Sequence, residues 1–400
     1  MLPDLFGKET ASGLSVLLVT PSYPPVLGGS EIEAQRVCKM LRQRGYHMEV
    51  ACGGGDPMPR QSEWTDPEGT PVYLFGHTPN KRLRAWSLAA GVARLLLSKR
   101  YDLVYLLMTG VHLAATLPLA RMLNIPIVMK FSGSNTIRPL ATSALGRLEL
   151  RMLRRWADRI LVLNQAMEVE AVEAGLPEER LGRMPNPVDT NSFRPLDPAN
   201  RMALRRQMGR QEQEQMILYV GRLAPEKRLD SLLRAFEQVA SSNQNARLVL
   251  VGDGPLRGAL EAQAQAGQHA DWITFAGAQS IHLVQNWMQI GNIFALVSEV
   301  EGLPCSLIEA MSVGMTAVVS DIPANTQLIS DGERGRLAAV GNSEEIGRKL
   351  AECLADPAWS LEAGAACREF VLTRFSSAIV ADHYEMLFSE LSTRRHLCGR

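Results

Sequence analysis

Short runs of consecutive apolar residues alternate along this chain with longer stretches in which apolar positions recur every three to four residues. The runs Ser15 to Thr20, His47 to Cys52, Leu103 to Met108, Ile217 to Val220, Leu248 to Val251 and Ile293 to Val297 read as strands. An uninterrupted run such as Leu103 to Met108 belongs to a parallel sheet covered on both faces, and the periodic stretches supply the covering helices. The first helix is predicted to start at Ser30, with Ser30 and Glu33 fitting a capping box, and to end near Gly45. Gly53 to Thr70, rich in Gly, Pro and charge, reads as a surface loop. Leu103 to Leu119 is almost wholly apolar and approaches the roughly 18 to 20 residues that a bilayer needs. Gly110, His112 and Pro118 interrupt it, so a buried strand, a turn and a core helix fit it better. A last helix is predicted over about Ser376 to Ser392.

Composition narrows the class without changing the pattern. The chain has 400 residues, enough for two domains of ordinary size, and 46% of them are hydrophobic. This describes an α/β protein rather than a disordered or fibrous one. The six cysteines (Cys38, Cys52, Cys305, Cys353, Cys367 and Cys398) form no CxxC pair. Reduced thiols in a cytoplasmic compartment are expected, not disulfides or zinc. Met1 to Gly13 carries acids and lacks a long apolar core, unlike a secretory signal, and reads as a flexible leader.

The candidate chemistry sits at strand ends in the second half. Glu301 and Glu309 lie eight positions apart in EGLPCSLIEAM, at the end of an apolar run and inside the helix that follows. Two carboxylates placed so suit sugar and ribose hydroxyls. Pro304 fits the first helical turn. The backbone around Leu303, Pro304 and Cys305 offers helix N-terminal N–H groups to an anion. Upstream, Gly221, Arg222 and Lys227 follow another strand. Arg222 presents a planar fork and Lys227 a point charge, as a diphosphate would require. Gly252-Asp253-Gly254 ends a third strand and allows a flat ring or a phosphate to approach the backbone.

Taken in order, these segments, together with Pro24-Pro25, Gly28-Gly29 and Glu31, Pro185-Asn186-Pro187-Val188-Asp189, and Phe275-Ala276-Gly277, resemble the retaining family 4 glycosyltransferases of the GT-B fold. The resemblance runs from about Ser15 to Phe388. It implies two Rossmann-like domains facing an interdomain cleft. Residues 14–190 would be the acceptor-side domain, 191–375 the nucleotide-sugar-binding domain, and 376–400 a helix crossing back to the first domain, plus a tail. Pro185 to Pro198 would be the hinge. It also implies a nucleotide diphosphate-sugar donor bound by Arg222 and Lys227, with Glu301 on the transferred sugar and Glu309 on the ribose. Gly277 through Gln279 would frame the base, and Gly28 and Gly29 would lie at the donor phosphate. The acceptor would be a glycan or a lipid-linked hydroxyl, in polysaccharide, lipopolysaccharide or glycolipid synthesis. No cofactor is expected. Two alternatives stay open: a related GT-B enzyme, either a sugar-nucleotide epimerase or a soluble-acceptor synthase, and a catalytically silent binding subunit.

One position departs from the family pattern. A His that commonly follows the strand ending at Lys130 is replaced by Ser132, which precedes Gly133. A hydroxyl forms hydrogen bonds but does not titrate near neutrality. His112 is a candidate substitute on the sugar or acceptor side, against the plainer reading of a satisfied core histidine. The histidines show no metal spacing, so no metal is predicted.

Zero net charge hides an asymmetry. Between Lys81 and Arg159 fourteen Lys and Arg stand against three acids. Two amphipathic helices carry much of this charge, and they suit an anionic membrane surface or a phosphorylated lipid acceptor; solvated arginines on ordinary packing helices are the competing reading. Nucleic acid is disfavoured, since no known binding module and no aromatic interleaving accompany the basic residues. A cytoplasmic protein, peripheral on the inner face of the membrane, is the localisation expected.

Overall fold

The computed structural model describes residues 13–26, 28–54, 58, 61–78, 80–133 and 136–398. The leader expected over residues 1–13 lies outside these apart from Gly13, as do Ser134 and Asn135 after the Ser132 position. The chain divides into two compact units. Unit 1 holds the residues up to Pro187 together with those from Ser377, and unit 2 holds Val188–Ser376.

The strands of unit 1 are β1 (Ser15–Thr20), β2 (His47–Gly53), β3 (Glu63–Thr65), β4 (Pro71–Phe75), β5 (Leu103–Leu107), β6 (Ile127–Lys130), β7 (Arg159–Val162) and β8 (Leu181–Arg183). Their order in the sheet is β3-β4-β2-β1-β5-β6-β7-β8, parallel except where β3 runs against β4. Unit 2 contains β9 (Gln215–Val220), β10 (Ala246–Val251), β11 (Ile273–Gly277), β12 (Ile293–Leu296), β13 (Thr316–Ser320) and β14 (Gly335–Ala338). These pair in parallel in the order β11-β10-β9-β12-β13-β14. Strands β5 and β12 are buried at every position, which explains why they read as unbroken apolar runs. The strand order reverses between β1 and β5 in unit 1 and between β9 and β12 in unit 2. Open α/β sheets bind ligands at the carboxyl ends beside such a reversal.

Three local expectations need correction. Helix Gly29–Gln43 is capped by Gly28 without any side-chain cap, so Ser30 and Glu33 form no capping box. Glu33 is turned inward, because Lys130 is its partner. The loop read over Gly53 to Thr70 contains the edge strand β3, and buries Asp66 and Thr70. The Tyr23 hydroxyl donates to Asp66 at 2.7 Å, which anchors the segment inside the unit. Pro304 is the N-cap of helix Cys305–Ser312 rather than a residue of its first turn.

The last helix, Ser377–Cys398, belongs to unit 1. Its Tyr384 and Phe388 are fully buried, with Tyr105 edge-on to Tyr384 at 5.8 Å between ring centroids and Tyr46 edge-on to Phe388 at the same distance. Aromatic edge-to-face contacts of this kind add to the area they bury.

Candidate active site

The reversal point of unit 2 gathers the charged residues. After β9 the chain passes Gly221 and Arg222, makes one turn of 3-10 helix over Pro225–Lys227 and enters helix Leu229–Ser242. Arg228, between these two helices, has a left-handed backbone with φ of +50°. After β12 the chain reaches Glu301, and helix Cys305–Ser312 follows. The two loops are tied together, the Glu299 N–H donating to Glu226 O at 2.9 Å. Lys227 Nζ lies 2.6 Å from Glu301 Oε1, and the Ser298 hydroxyl donates to the same oxygen at 2.7 Å. Arg222 is 68% exposed and pairs with Glu226 at 2.7 Å. A hydrogen bond from its own backbone amide, and then Arg222, hold the Glu226 carboxyl below its usual range. Glu309 is buried one turn into its helix, and Leu303 is buried just before the N-cap.

Glycines let the strand ends approach one another. Gly252 has φ of +139°, and a Cβ there would fall 1.9 Å from Gly221 O. Only glycine permits that contact. Backbone bonds complete the seam, Gly221 N–H to Val251 O at 3.0 Å and Gly252 N–H to Gly277 O at 2.8 Å. The Tyr219 hydroxyl, deep under this loop, donates to Arg222 O at 2.9 Å. Gln279 donates to Ala276 O, so its amide is turned back onto the end of β11. Arg222, Lys227, Glu301, Gly221, Gly252 and Gly277 therefore share one edge of the sheet, with a fork, an ammonium and a carboxylate at its mouth. The chemistry of that set suits a diphosphate beside a hydroxyl-bearing ring.

Unit 1 has its own reversal point, built differently. Gly28 caps the helix after β1, and Glu31 folds back onto it: a Cβ on Gly28 would lie 2.2 Å from Glu31 Oε2. The Ser22 and Ser30 hydroxyls donate to Glu31 at 2.5 and 3.0 Å. Gly29 is open, with no atom near the position a Cβ would take. Beyond β5, His112 is only 2% exposed, and burial lowers its pKa to about 4, so the ring is neutral at physiological pH. Its Nε2 and the Ser132 hydroxyl are both buried without a hydrogen-bond partner among the described residues. Gly133 accepts the Thr136 hydroxyl at 2.8 Å. Glu149 reaches in from helix Ala144–Trp156; burial raises its pKa, against a hydrogen bond from Thr109.

The least legible feature of unit 1 is Lys130. It ends β6 fully buried, 2.5 Å from Glu33 Oε1 and 3.0 Å from Asn186 Oδ1. Burial alone would lower its pKa, but Glu33 outweighs that and the net shift is upward. No spacing rule connects Glu33 with Lys130, so sequence reasoning missed the pair. Ser298 was missed as well, although a hydroxyl three residues before Glu301 was a usable signal. Among the described residues no group of three or more His, Cys, Asp or Glu side chains is arranged to hold a metal ion. Cys38, Cys52, Cys353 and Cys367 are buried free thiols. No described helix is long and apolar enough to cross a membrane.

Comparison with known proteins bears on the family and the fold. Residues 27–192 match the model of Glycosyltransferase Family 4, and residues 200–370 match that of Glycosyl transferases group 1. The sulfoquinovosyl transferase SQD2 of Arabidopsis thaliana is 29% identical over 380 residues, 88% of this chain and 69% of that protein. A GDP-mannose-dependent alpha-(1-6)-phosphatidylinositol monomannoside mannosyltransferase of Mycobacterium tuberculosis is 25% identical over 379 residues, 90% and 94% of the two chains. In fold, the Anabaena protein HepE, solved in complex with UDP-glucose, superposes with a TM-score of 0.77 at 20% identity, covering 94% of this chain and all of its own. With both family models matched in order and the charged edge of β9 and β12 in place, the chain belongs to the family 4, group 1 glycosyltransferases of the GT-B fold.

Proposed function

We propose that this enzyme transfers a sugar from a nucleoside diphosphate donor to an acceptor hydroxyl with retention at the anomeric carbon, using no metal. The observation that carries this reading is the Lys227–Glu301 pair at the reversal point of unit 2, with Arg222 exposed on the same loop and paired with Glu226. Cleaving the glycosyl–phosphate bond leaves added negative charge on the diphosphate. Arg222 and Lys227 stabilise that charge, and being fixed in advance they need little rearrangement as it develops. Glu301 accepts hydroxyls of the transferred sugar and Glu309 those of the ribose. No carboxylate is assigned as a covalent nucleophile; the leaving phosphate takes the acceptor's proton on the same face of the sugar. By the family resemblance, Ser132, Gly133 and His112 would serve the sugar or acceptor, and Gly28 and Gly29 the donor phosphate.

The acceptor is a lipid-linked or glycan hydroxyl of cell-envelope synthesis, met at the inner face of the membrane. Support comes from the mycobacterial relative, named for a phosphatidylinositol acceptor, and from helix Ala144–Trp156. Arg147, Arg151, Arg154 and Arg155 are exposed there, as are Leu145 and Leu148, and no carboxylate among the described residues pairs with these arginines. A UDP- and GDP-sugar panel read by thermal shift identifies the donor, because a ligand at 100 times its Kd stabilises by about 2.7 kcal/mol. Anomeric configuration of the product by NMR, with and without chelator, then tests retention and metal independence; an inverted product or abolition by EDTA overturns the reading. Liposome sedimentation with anionic and neutral lipid tests docking. Pelleting that ignores lipid charge would leave these arginines as solvated helix surface.

A further inference from the structure

We infer that Ser298 is the positioning residue that holds Glu301 when the donor arrives, an inference that rests on the reading of Glu301 as the ligand of the transferred sugar. Ser298 has no exposed surface and lies two residues beyond the end of β12. Its hydroxyl reaches Glu301 Oε1 at 2.7 Å, the oxygen that Lys227 also reaches at 2.6 Å. A carboxylate accepts on both oxygens, so two donors gathered on Oε1 leave Oε2 as the oxygen to meet a ligand hydroxyl. The two donors differ in what a diphosphate does to them. Lys227 is a mobile ammonium on a four-carbon stem and is drawn toward phosphate. Ser298 is neutral, short and enclosed, so it stays. One residue on, the Glu299 N–H bonded to Glu226 O pins the backbone between Ser298 and Glu301 to the cationic loop. Glu301 thus keeps its direction through the Ser298 bond at the moment its ion pair loosens.

The experiment compares Ser298→Ala, Ser298→Thr and Glu301→Gln in the full-length enzyme, using the donor found by the panel and its nucleoside diphosphate as reference. A hydrogen bond to a charged group corresponds to a loss of about 10- to 100-fold. Ser298→Ala should lose about that in kcat and in the preference for nucleotide sugar over nucleoside diphosphate, while nucleoside diphosphate affinity stays within about twofold. Ser298→Thr, which keeps the hydroxyl, should recover most of both. A Ser298→Ala enzyme with wild-type kcat, one that loses nucleoside diphosphate binding equally, or a Thr variant no better than Ala overturns the proposal. Glu301→Gln separates this from the underlying reading: if it also keeps full activity, Glu301 is not a sugar ligand and both fail, whereas if it alone is impaired only the role of Ser298 fails.

Discussion

Among the described residues the two shortest lysine–glutamate contacts fall one in each unit, and they sit in opposite surroundings. Lys130 and Glu33 lie 2.5 Å apart with both side chains fully buried. Lys227 and Glu301 lie 2.6 Å apart with 18% and 11% of their side chains exposed, at the end of a sheet where the strand order reverses. Distance is therefore not what separates them. A sealed pair has no water to fall back on, so neither charge can change partner without a large desolvation penalty. A pair at an open edge can exchange a carboxylate for a phosphate at small cost. Lys130 further donates to Asn186, and lies 3.5 Å from the Tyr384 hydroxyl, which in turn bonds that of Tyr105. That pair is a fastening between β6, the first helix and the last helix. The other is the pair proposed to receive ligand charge.

Breaking the sealed pair should have the largest effect. Lys130→Ala or Glu33→Ala is expected to cost about 3 to 5 kcal/mol of stability, because each leaves an uncompensated buried charge. Replacing both by Met and Leu should recover most of it, as urea unfolding would reveal; equal losses in single and double variants would mean that packing, not charge, is at stake. At the open edge the order reverses. Arg222→Ala and Lys227→Ala should lower turnover about 10² to 10³-fold while leaving the unfolding midpoint nearly unchanged. A Lys227→Ala enzyme that unfolds as readily as Lys130→Ala would erase the distinction.

His112 sharpens the contrast through pH. Its pKa is lowered by burial to about 4 from 6.5, so the unfolded chain takes up a proton that the folded one excludes. The neutral ring thus contributes stability that is fully present above pH 6.5 and lost as pH falls toward 4, on the order of 3 kcal/mol in total. The slope of stability against pH in that window should be shallower in His112→Gln, and parallel slopes would show that the ring is not sealed. Smaller still, Glu309→Gln should weaken donor affinity by about 1 to 3 kcal/mol if it holds the ribose. Calorimetry on the nucleoside diphosphate decides that.

How much of this was legible in the sequence follows the same division. Arg222, Lys227, Glu301 and Glu309 stood out because each lies within a few residues of an apolar run that ends, and strand ends are where short-range pattern meets chemistry. The parallel sheets were legible for the same reason, since β5 and β12 are buried at every position. The Glu33–Lys130 pair was not, since partners 97 positions apart meet only through the order of strands, and the periodicity that makes Glu33 helical suited a capping box equally well. Strand β3 was hidden by a Gly- and Pro-rich stretch whose burial depends on Tyr23 reaching Asp66. Tertiary contacts decided these places, and local propensity did not.

The smallest expected effect concerns Glu226, which stands on Arg222 where a phosphate would. Its Oε1 is 2.7 Å from Arg222 Nη2, and its main-chain oxygen separately accepts the Glu299 N–H, so the backbone is anchored whether or not the side chain is charged. With 68% of Arg222 and 34% of Glu226 exposed, the pair contributes little to folding, and Glu226→Gln should change stability by less than ~0.5 kcal/mol. Its charge nonetheless opposes an incoming diphosphate. Removing it should tighten nucleoside diphosphate binding by roughly two- to threefold at low salt, and the gain should fade near 1 M salt, where the Debye length is about 3 Å. Calorimetric titration of Glu226→Gln at the two ionic strengths reads this directly. Weaker binding at both would mean that Glu226 orients the guanidinium instead of competing for it, and the open edge would then be built of fixed pairs like the sealed one.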